Sequence, residues 1–91
     1  MIIVVVTISS ATRTMASRPD IISRGFVYVR EAETLMEGIR EIAAESVRVS
    51  LNGKGHLEWA VVKSSLKSNV ARYIYDQTKR NPMILPIIEE V

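Results

Sequence analysis

Tyr75 follows Arg72 by three residues and precedes Lys79 by four, a spacing that on an α-helix gathers an aromatic ring and two cations onto one surface. With Ser68 they fall on the side of such a helix away from Trp59 and Leu66. A group of this kind can stack a nucleobase while the cations meet phosphates. It can equally seat in a protein interface, where tyrosine and arginine are enriched, or face water. Arg24, in Ser23-Arg24-Gly25, is the other candidate: its guanidinium can grip a carboxylate in a two-pronged pair, either Asp20 nearby or one across an interface.

Other chemistries are excluded by what is missing. The chain has no cysteine and a single histidine, His56, so thiolate zinc sites, disulfides, multi-histidine metal centres and a cysteine nucleophile all fall away. A Ser-His-Asp site would have to use His56, which lies in a glycine-rich turn and reads as a solvated residue. Ser9, Ser10 and Thr12 have no identifiable base. No catalytic, cofactor-binding or metal-binding residue is therefore expected. The net charge of +2 over 91 residues is too small to indicate nucleic acid by itself. It hides strong regional contrasts, because residues 1–30 carry four arginines and one aspartate whereas residues 31–50 carry five glutamates and two arginines. Glu33, Glu37, Glu41 and Glu45 repeat every four residues, a like-charge row that reads as a solvated helix face and that would repel RNA on that side.

The elements that must position these residues follow from periodicity. Ile2 to Ile8 is almost wholly β-branched and reads as a strand, running into a long Ser/Thr/Arg-rich loop from Ser9 to Ser23. Phe26 to Val29 reads as a second strand, with Gly25 before it placed to take a positive φ. From Glu31 the period changes: Leu35, Met36, Ile39, Ile42, Ala43 and Val47 mark one helix, stopped by Asn52-Gly53-Lys54-Gly55. Trp59, Val62, Leu66, Val70, Tyr73 and Ile74 mark a second, ended by Asn81-Pro82, with Trp59 in the core. Met83 to Ile88 reads as a third strand that Pro86 confines to an edge or a bulge. The expected fold is α+β, a three-stranded mixed β-sheet packed against two antiparallel α-helices in the order ββααβ, as one domain over residues 1–91.

All three strands are apolar on both faces. Three strands make a sheet about 14 Å wide, and two helices packed about 10 Å apart already fill one such face. Unless the helices split across both faces, or the loop from Ser9 to Ser23 folds over the second one, that face is left for a partner. The longest apolar run, Ile2 to Val6, is far shorter than the roughly 18 residues that span a bilayer and lacks a signal peptide's flanks, so a soluble, cytoplasmic protein with no membrane contact is expected.

Two long blocks, RPDIISRGFVYVRE from Arg18 to Glu31 and LKSNVARYIYDQTKRNPMILPIIEEV from Leu66 to Val91, resemble the carboxy-terminal domain of bacterial ribonuclease J, and the resemblance spans nearly the whole chain. That family comprises zinc-dependent ribonucleases of the metallo-β-lactamase type with a β-CASP insertion, having endonuclease and 5′ exonuclease activity on RNA. The resemblance implies an accessory domain, without activity of its own, that follows the nuclease domains and supports their assembly and activity. Zinc is then expected in the absent catalytic domain and not in this chain. The implied partners are a second copy of the chain or its own upstream nuclease domains, with RNA reached through the parent enzyme. The alternative is an RNA-binding module that contacts substrate through the basic face of the second helix.

Overall fold

Alternation decides the centre of the molecule. In β1 (Ile2–Ser9) every second side chain, Ile2, Val4, Val6 and Ile8, is fully buried, and the residues between them are half-buried. The computed structural model describes residues 1–25, 32–53 and 57–91. Within these, β1 is followed by β2 (Thr14–Met15), β3 (Asp20–Ser23), α1 (Ala32–Leu51), α2 (Trp59–Thr78) and β4 (Ile84–Glu90). Among the described residues the fold is α+β with two helices, as expected, but the sheet has four strands in place of three. The strand expected at Phe26 to Val29 lies outside the described residues, as does His56. The segment expected as a loop from Ser9 to Ser23 supplies β2 and β3.

β1 bonds to all three other strands: antiparallel to β2 and β3, parallel to β4. The sheet is therefore mixed. β4 runs beside β1 from Ile2 to Ile8 and occupies one of its edges, so β2 and β3 follow one another along the other edge. The carbonyl oxygens of Met1 and Thr7, which point the same way along β1, accept from Arg24 and Ala16 in turn. Ile8 faces Met15 and Ser9 faces Thr14; continued, that register would bring Val5 opposite Arg18, yet Val5 pairs with Asp20. Two extra residues between Ala16 and Pro19 thus form a bulge that splits the outer strand in two.

That bulge is clamped to α1. Pro19 is buried, its carbonyl oxygen accepts from Arg40 Nε at 3.1 Å, and Glu37 binds Arg40 Nη1 at 2.6 Å and also pairs with Arg18. Farther along, Arg13, at φ 55° in the turn before β2, donates to the carbonyl oxygens of Leu51 at 3.2 Å and Gly53 at 2.9 Å, placing a cation on the negative end of α1. Hydrogen bonds from Arg18, then Arg40, hold the Glu37 carboxyl below its ordinary value of 4.5. A lowered folded-state pKa contributes stability that is present above the unfolded value and lost as pH falls through the folded one. Thermal melts below about pH 4.5 should accordingly show a smaller acid-side decline for Glu37→Gln than for the native chain; an identical decline would mean that the clamp does not couple to folding.

Both helices lie on one face of the sheet, α1 against β2 and β3 and α2 against β4. Leu35, Ile39, Ala43, Val47 and Leu51 of α1 and Leu66, Val70 and Ile74 of α2 are buried in one cluster with the even-numbered side chains of β1, and Val62 is buried near the start of α2. The helices meet closely where α1 carries Gly38: a Cβ there would stand 1.8 Å from the Tyr73 hydroxyl, so only glycine leaves room for that ring. Asn69 Nδ2 donates to the buried Ser46 Oγ at 2.9 Å, a polar bond between the helices. Trp59, expected in the core, opens α2 and packs on it only partly buried. α2 ends three residues before Asn81, with Lys79 left-handed at φ 58° and its N–H on the Tyr75 carbonyl oxygen at 2.7 Å.

Candidate functional site: an open sheet face

Because both helices cover the even-numbered side chains of β1, the odd-numbered ones form the opposite face. Ladder partners share a face, which places Ile22, Ile3 and Leu85 in one cross-strand row and Asp20, Val5 and Ile87 in the next. Beyond Ile3, Met1 and Arg24 exchange backbone bonds of 2.6 and 2.8 Å, and Met83 accepts from Ile2 N–H at 2.7 Å on the other side. At the far end Thr7 pairs with Glu89. Ile22 and Leu85 are each 44% exposed and Met83 71%. This face therefore presents one apolar row, Ile22–Ile3–Leu85, and a second in which Asp20 flanks the apolar Val5 and Ile87, with Arg24 at one corner and Glu89 toward the other end, and no described element packs on it.

The strand edges offer less. Ile2 donates to Met83 and Val91 donates to Ile8, so the odd-numbered backbone groups of β4 face β1 and the even-numbered ones point outward. Pro86 stands at one of those outward positions, where its missing N–H costs no internal bond and removes a donor from the free edge. The opposite edge is broken by the bulge before Pro19.

The structure places the sequence candidates in two locations. Ser68, Arg72 and Tyr75 lie exposed along α2 and Lys79 just past its end, where Lys79 Nζ sits 5.2 Å from the centroid of the Tyr75 ring. The ring is 44% exposed and carries a cation over one side, so one stacking surface is already engaged. Arg72 lines a groove of about 330 Å³ between the helices that also contains Asp76 and Glu45, which dilutes its positive charge. Arg24 is separate from these four, at the corner of the open sheet face. The ion pair with Asp20 weighed for it is not formed: among the described residues the pairs are Arg18–Glu37, Arg40–Glu37 and Arg48–Glu45. The glutamate row, expected to be merely solvated, is half neutralised by these arginines, and Arg48 holds the Glu45 carboxyl below its ordinary range.

Sequence reasoning identified Ile3, Val5, Leu85 and Ile87 as apolar positions in need of cover, but missed Ile22, Met1 and Met83. The alternation in Asp20-Ile21-Ile22-Ser23 is the signal that could have found Ile22. Among the described residues no group of three or more histidine, aspartate or glutamate side chains is placed to hold a metal ion. No described helix is long and apolar enough to cross a membrane.

The family described as the ribonuclease J C-terminal domain matches residues 1–91. Ribonuclease J 2 of Staphylococcus saprophyticus is 42% identical over 89 residues, which is 98% of this chain and 16% of that protein. Ribonuclease J 2 of Staphylococcus aureus is 40% identical over the same length, with the same coverage. The chain thus spans about one-sixth of the curated relatives it matches. Matched along its whole length, it belongs to the ribonuclease J C-terminal domain family.

Proposed function

We propose that this chain is the accessory domain of a ribonuclease J-like RNA-processing enzyme, a single domain over residues 1–91 that supports oligomer assembly, and through it the activity of zinc-dependent nuclease domains lying outside the chain. One observation carries the reading: the apolar sheet face formed by Ile3, Val5, Ile22, Leu85 and Ile87, which the two helices leave open. Its partner is a second copy or the parent enzyme's own nuclease domains, RNA is met through the parent enzyme, and the setting is cytoplasmic.

The face measures roughly 14 by 27 Å, about 400 Å² in projection, against about 800 Å² per partner in a standard interface. Association of the isolated chain is accordingly weak, and it strengthens when other contacts of a parent enzyme add to it. Sedimentation equilibrium of the 91-residue chain up to about millimolar concentration tests this. A reversible, concentration-dependent rise in mass is expected. A strict monomer that also has no affinity for the nuclease domains would remove the assembly role.

The competing reading, direct RNA contact through α2, has the exposed Tyr75 and its cationic neighbours in its favour. With Asp76 and Glu45 beside Arg72, RNA affinity should be no better than about 10⁻⁴ M at physiological salt. Fluorescence anisotropy with a labelled single-stranded RNA measures it. Micromolar binding that is lost in both Arg72→Ala and Tyr75→Ala would favour the RNA module instead.

A further inference from the structure

Asparagine followed by glycine is chemically labile, because the glycine nitrogen meets no side-chain obstacle on its way to the asparagine Cγ. The chain has three asparagines, Asn52, Asn69 and Asn81, and their settings differ. Asn81 precedes Pro82, whose nitrogen carries no proton to lose. Asn69 lies within α2, bonded to Ser46 and followed by the buried, β-branched Val70. Asn52 and Gly53 follow the end of α1, and both are exposed. Among the described residues the Asn52 side-chain amide has no hydrogen-bond partner. The Gly53 N–H is held by a long bond of 3.3 Å to the Ser50 carbonyl oxygen, so the nitrogen is released at little cost. Arg13 closes on this peptide from both sides, a single Nη2 donating to the carbonyl oxygens of Leu51 at 3.2 Å and Gly53 at 2.9 Å.

We propose that Asn52–Gly53 is a site of spontaneous rearrangement to isoaspartate, and that the rearrangement frees the turn before β2 from the end of α1. The Gly53 nitrogen gives up its proton to solvent base and bonds to Asn52 Cγ, while Nδ2 takes up a proton and leaves as ammonia. The product is a five-membered succinimide ring, which one water then opens. Cleavage between nitrogen and Cγ yields aspartate with the main chain unchanged. Cleavage between nitrogen and the main-chain carbonyl carbon yields isoaspartate, whose chain runs through Cβ and Cγ. In sum one water enters and one ammonia departs, with no change of oxidation state. The aspartate product sets a carboxylate at the negative end of α1, a cost that the Arg13 guanidinium beside it offsets. The isoaspartate product adds a main-chain carbon between the carbonyls of Leu51 and Gly53, so one Nη2 no longer bridges them. What is lost is the tie that holds the β2 turn to α1.

Ageing the 91-residue chain in warm, mildly alkaline buffer tests this. Peptide mass spectrometry should place the loss of ammonia at Asn52, and a protein isoaspartyl methyltransferase should label the aged chain. Asn52→Gln, whose ring would need a sixth member, should stay unlabelled, and Gly53→Ala should label more slowly; circular dichroism confirms that both are folded. The isoaspartyl fraction, separated chromatographically, should melt about 4–8 °C below the fresh chain, as for the loss of one hydrogen bond in a domain of this size. Asn52→Asp, which adds the charge without the extra carbon, should melt near the native temperature. In Arg13→Ala, ageing should no longer lower the melting temperature. An aged native chain without label, or label that persists in Asn52→Gln, would overturn the site. An isoaspartyl fraction that melts with Asn52→Asp, or that loses as much stability in Arg13→Ala, would overturn its link to the β2 turn.

Discussion

A lysine at Val4 is expected to unfold the chain, whereas a lysine at the next residue, Val5, leaves it folded and removes its self-association. Val4 is fully buried between the sheet and the helices. A charged group there has no described carboxylate within the apolar cluster to pair with, and an unpaired buried charge costs several kcal/mol even after relaxation. A chain of this size has little stability to set against that. Val5 is half-buried on the open face, opposite Asp20 and Ile87. A lysine there can extend to water or to the Asp20 carboxylate, so the fold survives while an ammonium occupies the contact surface. Circular dichroism and sedimentation of the two variants separate the effects. Equal unfolding of both would mean that the two faces are equally internal, and the account of an open face would be lost.

Leu66→Ala should lower stability by about 2–5 kcal/mol, the range for leucine truncation in a core that relaxes only partly. Leu66 is fully buried and lies in the middle of the α2 stripe Val62, Leu66, Val70 and Ile74. These residues recur at steps of four, so they form a narrow seam with little apolar surface beside it to fill a void. At about 4–8 °C per kcal/mol for a domain of this size, the melting temperature should fall by roughly 10 °C or more. Val61→Ala, on the same helix but 64% exposed, is the control and should change stability by less than about 0.5 kcal/mol. Comparable losses at both positions would contradict the orientation of α2.

The sequence was most legible where pattern and burial are local. Ile2 to Ile8 announces a strand by its β-branched run, and the stripes from Leu35 to Val47 and from Val62 to Ile74 announce two helices because each period repeats for several turns. Pro86 correctly marked an edge strand, since a parallel edge has outward positions that need no donor. β2 and β3 were not legible, because a two-residue slip between Ala16 and Pro19 breaks the alternation, and the arginines and serines around it look like loop. What holds that segment in place is non-local: Arg13 reaches the end of α1, and Arg18 and Pro19 reach Glu37 and Arg40. The same limit applies to the candidate site. Tyr75 with Arg72 and Lys79 stood out as a composed group on one helix, but the row Ile22–Ile3–Leu85 joins three segments of the chain and exists only once their registers are set.

The most direct test of the open face is methyl NMR of the 91-residue chain over a dilution series. Methyl resonances of Ile3, Val5, Ile22, Leu85 and Ile87 should shift together with concentration, while those of Val49 and Val61, exposed on the helices, stay fixed. Concentration-dependent shifts at Val49 and Val61 with none on the sheet would contradict the account and move the contact surface to the helices.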